Sequence, residues 1–395
     1  MKQAWHGLFW RLCLLMALTA CGGSNVGSAG GSIGGGAPPA NPLVSIVVTP
    51  ANARIGIETT QAYTATATYR DGSTADISAD PMLTWSSSDP AAIVAASGVA
   101  TAVASGAANI QATLGAVNSN MATLRVRSRV YVTDANSGTL SVCAITASGN
   151  LGTCNTSDRL FNSPTGVAIH PDGTFAYVAN KAGQNIIHCA LQNDGELEAC
   201  VEGAALFRSP ASIVINPAGT TAYVTEAVGD AVQACPIQVD GSLGNCVSTR
   251  SGFSRPEGIA LNPSGTMAYV TNQANDTFTH CTVSDGSLTA CVVTVGTGLI
   301  PIGVAINPAG TLAYRANNVE TVSSCSVQVN GSLGPCTTAA SGIRFLTHIA
   351  FNPTGTKLYL THGDEVSFCP VNPDGSLGAC TSTAGFSFPY GIAVP

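Results

Sequence analysis

The chain has 395 residues, of which 9% are charged, and its formal net charge is −7. No basic cluster in it could neutralise a phosphate backbone, so we expect no nucleic-acid partner. After residue 21 no stretch reaches the eighteen or more apolar residues of a membrane-spanning helix. The 43 Gly and 21 Pro residues are typical of many short strands and turns.

The N-terminus predicts an export signal. Basic residues precede an apolar run, Leu12 to Ala20, which ends in Leu18-Thr19-Ala20-Cys21. This ending resembles the lipobox of bacterial lipoproteins. The resemblance implies a signal peptide over residues 1–20, lipidation of Cys21 and attachment to a cell-envelope membrane through several acyl chains. Gly22, the residue after Cys21, is not an acidic retention signal, so we expect the lipoprotein to be sorted to the outer membrane. The alternative is an ordinary secretory signal with an incidental cysteine.

Two segments without cysteine follow the lipobox. Residues 21–42 are rich in Gly, Ser and Pro and form a tether. Residues 43–126 predict about seven short strands, which indicates a small β-sandwich with Trp85 in its core. The Asp71-Gly72-Ser73 turn, Trp85-Ser-Ser-Ser-Asp-Pro90 and Gly98-Val-Ala-Thr101 resemble the bacterial Ig-like group 2 domain. The resemblance implies a surface module found in adhesins, and a simple stalk is the alternative.

Residues 129–395 are organised by a recurring stretch, whose clearest copy is Gly258-Ile-Ala-Leu-Asn-Pro-Ser-Gly-Thr-Met-Ala-Tyr-Val-Thr-Asn272. The leading cysteines of the copies recur every 44 to 46 residues, a period typical of propellers, solenoids or arrays. Each copy predicts four antiparallel strands, which make one propeller blade. The first copy lacks its first strand, and Tyr390–Val394 is a lone first strand. We expect these two to pair near Tyr131, which closes a six-bladed β-propeller without an exposed sheet edge.

The cysteines of the repeats predict a disulfide framework, because an even set at regular spacing in an exported chain is typical of one. A hairpin turn lies midway between the cysteines of each pair and places them opposite each other. The expected bridges are Cys143–Cys154, Cys189–Cys200, Cys235–Cys246, Cys281–Cys291, Cys325–Cys336 and Cys369–Cys380. Pairing between neighbouring blades is the alternative. The Cys281–Cys291 pair has one residue fewer and needs a local change of register. No C-x-x-C pair occurs, so we expect no metal.

The repeats also resemble a known family. Tyr269-Val-Thr-Asn272, Tyr177-Val-Ala-Asn180 and the Asp-Gly-Ser-Leu turns resemble the YVTN-type propellers, which are related to the lactonase-like β-propellers. The resemblance covers residues 129–395 and implies the propeller fold. Six blades rather than seven, and cysteine pairs in the outer hairpins, argue against lactonase activity.

One face of the predicted propeller carries the candidate functional residues, because the loops from strand two to three and from strand four to the next blade lie there. Strand two ends at this face in a ring of six residues: Asp134, Asn180, Glu226, Asn272, Asn317 and His362. The residues that open strand one lie nearby: Thr165, Ala211, Glu257, Ile302 and Thr347. The loops add Arg159, Arg208, Arg255 and Arg344.

For most of these residues the first hypothesis is a structural role. We expect the ring to cap loop backbones. We expect Phe161, Phe207, Phe253 and Phe386, which share one repeat position, to pack between blades rather than form an aromatic platform. The candidate ligand face consists of Asp134 and five departures from the repeat: Glu226, Glu257, Arg315, His348 and His362. A metal-binding or acid–base pair of His348 with His362 is a minor alternative.

The sequence contains no G-x-S-x-G element in a strand–turn–helix context, no phosphate-binding Gly loop and no H-E-x-x-H motif. We therefore expect no enzyme, no assignable catalytic residue and no cofactor. The favoured function is a monomeric envelope lipoprotein whose propeller face binds a protein or a glycan. The alternatives are a lactonase-like hydrolase using Glu226, Glu257, His348 and His362, and a structural envelope protein without a ligand.

Overall fold

The computed structural model describes residues 41–395 except 90–91, 95–96, 104–105, 147, 158, 204–205 and 295–298. The expected signal peptide, Cys21 and nearly all of the tether lie outside the described residues. Residues Leu43–Pro395 form one compact unit. The regular elements within the described residues are all β-strands, and none of these residues forms a helix able to cross a membrane.

The first eleven strands form three small sheets. They are β1 (Leu43–Thr49), β2 (Asn52–Gly56), β3 (Thr60–Ala62), β4 (Thr64–Tyr69), β5 (Thr74–Asp76), β6 (Thr84–Ser87), β7 (Ala92–Val94), β8 (Val99–Ala102), β9 (Gly106–Leu114), β10 (Val117–Asn118) and β11 (Ala122–Arg127). The sheet orders are β1-β4-β5, β10-β9-β11-β2 with β6 on β9, and β3-β8-β7. Alternating residues such as Ala65 and Ala67 of β4 face one shared core, which also contains Trp85 as expected.

Six four-stranded antiparallel sheets, called blades 1 to 6 here, make up the remainder. Blade 1 contains β12 (Arg129–Asp134), β13 (Thr139–Ile145), β14 (Leu151–Thr156) and β35 (Pro389–Ala393); blade 2 contains β15 (Pro164–Ile169), β16 (Phe175–Asn180), β17 (Asn185–Leu191) and β18 (Leu197–Glu202); blade 3 contains β19 (Pro210–Ile215), β20 (Thr221–Glu226), β21 (Ala231–Pro236) and β22 (Val247–Thr249). Blade 4 contains β23 (Pro256–Leu261), β24 (Met267–Asn272), β25 (Thr277–Ser284) and β26 (Ser287–Thr294); blade 5 contains β27 (Pro301–Ile306), β28 (Leu312–Asn317), β29 (Thr321–Val327) and β30 (Leu333–Ser341); blade 6 contains β31 (Leu346–Phe351), β32 (Lys357–His362), β33 (Glu365–Pro370) and β34 (Thr381–Ala384).

The blades form a closed ring. The last strand, β35, pairs antiparallel with β12, and Tyr131 lies opposite Ala393 as the repeat pattern predicts. The inner strands β15, β19, β23, β27, β31 and β35 contact one another in succession, and β35 contacts β15 to complete the circle. Blades 1 and 4 therefore face each other across the central channel, as do blades 3 and 6.

All six predicted disulfides form within blades, with S–S distances from 1.95 to 2.07 Å. In blade 2, for example, Cys189 and Cys200 are direct cross-strand partners. The ladder of blade 4 shifts between His280 and Thr282, and blades 1, 2 and 5 shift in the same way beside their disulfides. The missing residue of blade 4 is accommodated in its hairpin, which closes through a two-residue turn. Asp285 and Gly286 both have positive φ in that turn, as a type I′ hairpin requires.

A tyrosine of strand two links most blades to their neighbours. The equivalent tyrosines Tyr131, Tyr177, Tyr223, Tyr269, Tyr314 and Tyr359 are all fully buried. Four of them, Tyr131, Tyr177, Tyr314 and Tyr359, donate a hydrogen bond of 2.7–2.9 Å to the carbonyl of the glycine in the next blade's outer hairpin. The hydroxyls of Tyr223 and Tyr269 have no partner among the described residues. The hairpin beside Tyr223 is the shortened one of blade 4.

The four phenylalanines pack between blades as expected. Phe161, Phe207 and Phe253 are buried, each in a different interblade cluster, and Phe386 packs against a fourth. Blade 5 has Gly298 at this repeat position, which lies outside the described residues.

The small sheets contact the propeller at the end that carries the Asn-Pro-x-Gly turns. Arg54 of β2 donates to the carbonyl of Asp172 at 2.8 Å, and Lys357 lies 3.2 Å from Glu58. A Cβ atom on Gly56 would lie 2.9 Å from the ring of Pro353. These described contacts lie at one end of the propeller, and the candidate residues lie at the opposite end.

Candidate functional site: the channel mouth

Every inner strand begins with the same local irregularity. Its first residue pairs with the last residue of strand two, and the register then shifts before regular pairing resumes, as between Pro256 and Ile259. Such bulges redirect side chains and are frequent next to functional sites. Glu257 lies in the bulge of blade 4, and His348 lies in that of blade 6. The residue before each of the six inner strands has a positive φ.

The ring at the end of strand two mainly caps backbone groups. Asp134, Asn180, Glu226 and Asn272 each accept a hydrogen bond of 2.6–3.2 Å from a backbone N–H in the loop that enters the inner strand. Glu226 is almost fully buried and also accepts from Gln233 at 3.0 Å. Burial raises the pKa of Asp134, and the N–H of Ser387 opposes that shift. The carboxylates of Asp134 and Glu226 are therefore occupied by structural hydrogen bonds.

The other two ring members bond to strand three instead. Asn317 donates to Ser323 at 2.9 Å, and the Nε2 atom of His362 lies 2.6 Å from the hydroxyl of Ser367. Burial lowers the pKa of His362, with the nearby Glu365 opposing the shift. His362 lies opposite Leu346 in the ladder rather than His348. No group of three metal-ligating side chains occurs within the described ranges.

Glu257 lies in a charged cluster that crosses the channel. The hydroxyl of Tyr390, on the opposite blade, donates to its Oε2 atom at 3.0 Å. Arg255 Nε lies 3.4 Å from Oε1, and Lys181 Nζ lies 3.9 Å from Oε2 and 5.8 Å above the Tyr390 ring. Burial, and then the charge of Glu257, raises the pKa of Tyr390 well above its usual value, so the phenol stays a donor. Sequence reasoning singled out Glu257 but missed Tyr390 and Lys181.

A second pair crosses the channel at the next residue position. The Nε2 atom of His348 in blade 6 lies 3.2 Å from the hydroxyl of Ser212 in blade 3, and both side chains are buried. The equivalent residues of the other four blades are glycines: Gly166, Gly258, Gly303 and Gly391. Burial lowers the pKa of His348 to about 4, with the backbone of Ile349 opposing the shift, so the imidazole is neutral at pH 7.

Arg315 is buried at a position where four of the other blades have valine and blade 6 has leucine. Its Nε and Nη2 atoms have no hydrogen-bond partner in the described part of the chain. Burial lowers its pKa, and the carboxylate of Asp276 opposes that shift. No described hydrogen bond or ion pair joins Arg315 to Glu257.

A set of six residues, called the crown here, lies at this face, one before each inner strand. All six have φ between 48° and 59°: Ser163, Ser209, Arg255, Ile300, Phe345 and Phe388. The left-handed region is unfavourable for residues other than glycine, and it is an outlier for a β-branched residue such as Ile300. Phe345 is 67% exposed, Ile300 38% and Phe388 36%. The large members belong to adjacent blades 4, 5, 6 and 1 and form one side of the mouth.

Basic residues accompany the crown. Of the nine Lys and Arg residues in 129–395, six lie in the loops of this face: Arg159, Lys181, Arg208, Arg250, Arg255 and Arg344. Exposed apolar side chains lie beside them, including Leu206 at 70% and Val228 at 74% exposure. Aromatic and arginine side chains are enriched in protein–protein interfaces.

Comparison with known proteins supports the fold alone. No protein-family model matches the sequence. Ice-binding protein 1 of Shewanella frigidimarina is 36% identical over 132 residues, a match that spans 33% of this chain and 13% of that protein.

Several solved propellers are similar in structure. The periplasmic gluconolactonase of Pseudomonas aeruginosa matches with a TM-score of 0.51 at 16% identity, covering 89% of this chain and 99% of that one. A candidate 6-phosphogluconolactonase of Bacteroides uniformis matches with a TM-score of 0.51 at 16% identity, covering 84% of this chain and 94% of that one. A nidogen/laminin complex matches with a TM-score of 0.55 at 15% identity, covering 67% of this chain and 97% of that one. These similarities support a β-propeller fold for this chain.

Proposed function

We propose that this protein is a non-enzymatic binding module of the cell envelope and that its crown contacts another protein. The observation that carries the proposal is the crown itself. Exposed Ile300, Phe345 and Phe388 occupy a backbone conformation that costs about 1–2 kcal/mol for each non-glycine residue. A folded protein keeps such residues at the surface only where the scaffold imposes them, and strained exposed positions are enriched at functional sites.

The chemistry of the crown favours a protein over a glycan. Burying a phenylalanine against a partner contributes about 1.5–3 kcal/mol, and aromatic and arginine anchors dominate protein interfaces. Phe345 and Phe388 supply two such anchors on adjacent blades, and the exposed Arg255 supplies a third on blade 4. The carboxylates that could bind sugar hydroxyls do not, because Asp134 and Glu226 accept backbone N–H groups.

The proposed presentation of the crown rests on the N-terminal segments. Cys21 carries the lipid, residues 21–42 are the tether, and residues 43–126 are a bacterial Ig-like group 2 spacer that holds a monomeric propeller away from the outer membrane. The six disulfides are consistent with an exported protein. Replacing Cys21 by Ser is expected to move the protein from the membrane to the soluble fraction; unchanged membrane association would refute the anchor.

The binding proposal is tested by changing the apolar crown to serine. Ser163 and Ser209 already occupy the equivalent positions, so the triple variant Ile300→Ser, Phe345→Ser, Phe388→Ser should fold. A matched control replaces Val239 and Val329, which are 104% and 110% exposed in outer hairpins. We expect a protein recovered from envelope extracts by the wild-type chain to be lost with the crown variant and retained with the control. Recovery of a glycan instead would show that the partner is a glycan rather than a protein. Recovery of nothing would refute binding and favour a structural role in the envelope.

A second candidate function is hydrolysis of a lactone, in line with the names of two structural neighbours. The observation in its favour is the hydroxyl–imidazole pair of Ser212 and His348, which has the spacing of a nucleophile and its base. Glu257 is held by Tyr390, Arg255 and Lys181 and does not contact this pair in any described hydrogen bond. If the protein turns over a lactone from a panel and Ser212→Ala and His348→Ala abolish this turnover, hydrolysis replaces binding as the function. If no lactone is turned over, the hydrolase function is refuted.

A further inference from the structure

A groove lies between blades 2 and 3 on the outer wall of the propeller. Its lining is largely apolar, with Val201, Leu206 and Phe207 from blade 2 and the loop that follows it, and Leu243 from the outer hairpin of blade 3. Val201 is 54% exposed and Leu206 is 70% exposed. The volume of the groove is about 220 Å³, which is below the range of small-molecule sites, about 300–1,000 Å³. The groove therefore suits a single side chain rather than a free small molecule.

An imidazole in the groove and carboxylates beside it favour a cation. His188 lines the groove, is only 9% exposed and makes no hydrogen bond to a described residue. Burial lowers the pKa of His188, and the charge of Asp240 on the blade 3 hairpin opposes that shift. The imidazole is therefore neutral at pH 7 and offers one nitrogen as an acceptor. Glu202 also lines the groove, and its exposed carboxylate forms no described hydrogen bond or ion pair.

The groove belongs to a wider apolar strip on the outer wall. The residue after the second cysteine is a half-exposed valine in three adjacent blades, at 54%, 56% and 52% exposure: Val201, Val247 and Val292. The other three blades have a polar residue at this position: Asn155, Thr337 and Thr381. Exposed apolar side chains gathered on one side of a protein are typical of an interaction surface.

The same part of the wall is acidic. The outer hairpins and fourth strands of blades 2 to 4 contain no Lys or Arg. Asp194 and Glu196 of blade 2 are already paired with Arg129. Four further carboxylates there have no ion pair among the described residues: Glu198, Glu202, Asp240 and Asp285. The corresponding segments of blades 1, 5 and 6 contain Asp374 alone. A partner that matches this wall is therefore basic.

We propose that the outer wall of blades 2 to 4 docks a basic segment of another protein and that the groove holds one arginine or lysine side chain of that segment. The aliphatic stem of this side chain would pack on Val201 and Leu206. Its charged head would donate to His188 and lie near Asp240 and Glu202. A second copy of this chain or an anionic membrane would bring like charges together at this wall. The groove contains no crown residue, so the inference does not depend on the proposed function.

The test measures the fluorescence anisotropy of a labelled peptide of alternating valine and arginine, and of a second peptide in which neutral citrulline replaces arginine. The protein is the full exported chain with Cys21→Ser. Val201→Thr and Asp240→Asn install the residues that blade 5 has at these positions, so both should fold, and Glu202→Gln removes the second carboxylate. The matched controls are Asp374→Asn, in the equivalent turn of blade 6, and Val329→Thr, in the outer hairpin of blade 5.

We expect the wild type to bind the arginine peptide saturably and the citrulline peptide roughly tenfold more weakly. Val201→Thr, and Glu202→Gln combined with Asp240→Asn, should each weaken binding of the arginine peptide by about threefold to tenfold. Asp374→Asn, Val329→Thr and the crown triple variant should bind as the wild type does.

The proposal is overturned if the wild type does not bind the arginine peptide or binds both peptides equally. It is also overturned if Asp374→Asn weakens binding as much as Asp240→Asn, or if only the crown variant loses binding. Sedimentation of the wild type and of Val201→Thr adds a further check. Dimers of the wild type that Val201→Thr dissociates would contradict the proposal, because a second copy of the chain would then cover the groove.

Discussion

Replacing Tyr177 by phenylalanine tests whether the strand-two tyrosines hold neighbouring blades together. The hydroxyl donates to the carbonyl of Gly241 in the next blade at 2.8 Å, and both groups are buried. Phenylalanine keeps the ring but leaves that carbonyl without a partner, which costs about 1–3 kcal/mol. For a protein of this size each kcal/mol lowers the melting temperature by about 1–2 °C.

The chain contains its own control for this experiment. Tyr223 is the equivalent tyrosine of blade 3 and is equally buried, but its hydroxyl has no partner among the described residues. Tyr223→Phe should therefore change the free energy of unfolding by less than about 0.5 kcal/mol in either direction. Both variants are measured by calorimetry and by denaturant titration of the exported protein. Equal destabilisation by the two substitutions would refute the role given to the hydrogen bond.

Three further predictions concern buried charge, pH and the disulfides. Arg315→Val installs the residue of four other blades and removes a guanidinium with unpaired buried N–H groups, so denaturant titration should show a more stable protein; a loss above 1 kcal/mol would contradict this. His348 has a pKa of about 4 when folded, below the 6.5 of the free side chain. The contribution of His348 to the free energy of unfolding is therefore complete above pH 6.5. As the pH falls towards 4, the free energy of unfolding decreases by about 3 kcal/mol. His348→Gly should flatten that dependence, and an unchanged slope would refute it. Replacing Cys189 and Cys200 together by Ser should cost about 2–3 kcal/mol; unaltered unfolding in denaturant would count against a stabilising role.

Most of the propeller could be predicted because its signals are local and repeated six times. The Asn-Pro-x-Gly turns have a direct physical cause: Asn216 Oδ1 accepts two backbone N–H bonds at 2.8 and 3.0 Å, and Gly219 has a φ of 72°. The pairing of the last strand with β12 followed from counting strands, and the disulfides followed from the position of each hairpin turn. These inferences need no knowledge of how distant side chains meet.

The small sheets and the site were harder to predict. About seven strands were expected in residues 43–126, but eleven are present, because short polar strands such as Thr74–Asp76 have no hydrophobic alternation. The bonds from Tyr390 to Glu257 and from Ser212 to His348 join residues more than 130 positions apart. The crown was missed for a different reason. Five of its six residues precede proline, which favours an extended conformation, whereas the structure holds them in the left-handed region.

The central claim is that the exposed, strained crown is the surface through which this protein recognises its partner. The most direct measurement places a photo-crosslinking amino acid at Phe345 in one chain and at Val329 in another, and irradiates cells that display each protein. We predict one discrete protein adduct from position 345 and none from position 329, although position 329 is the more exposed, at 110% against 67%. The same adducts from both positions, or none from position 345, would contradict the claim.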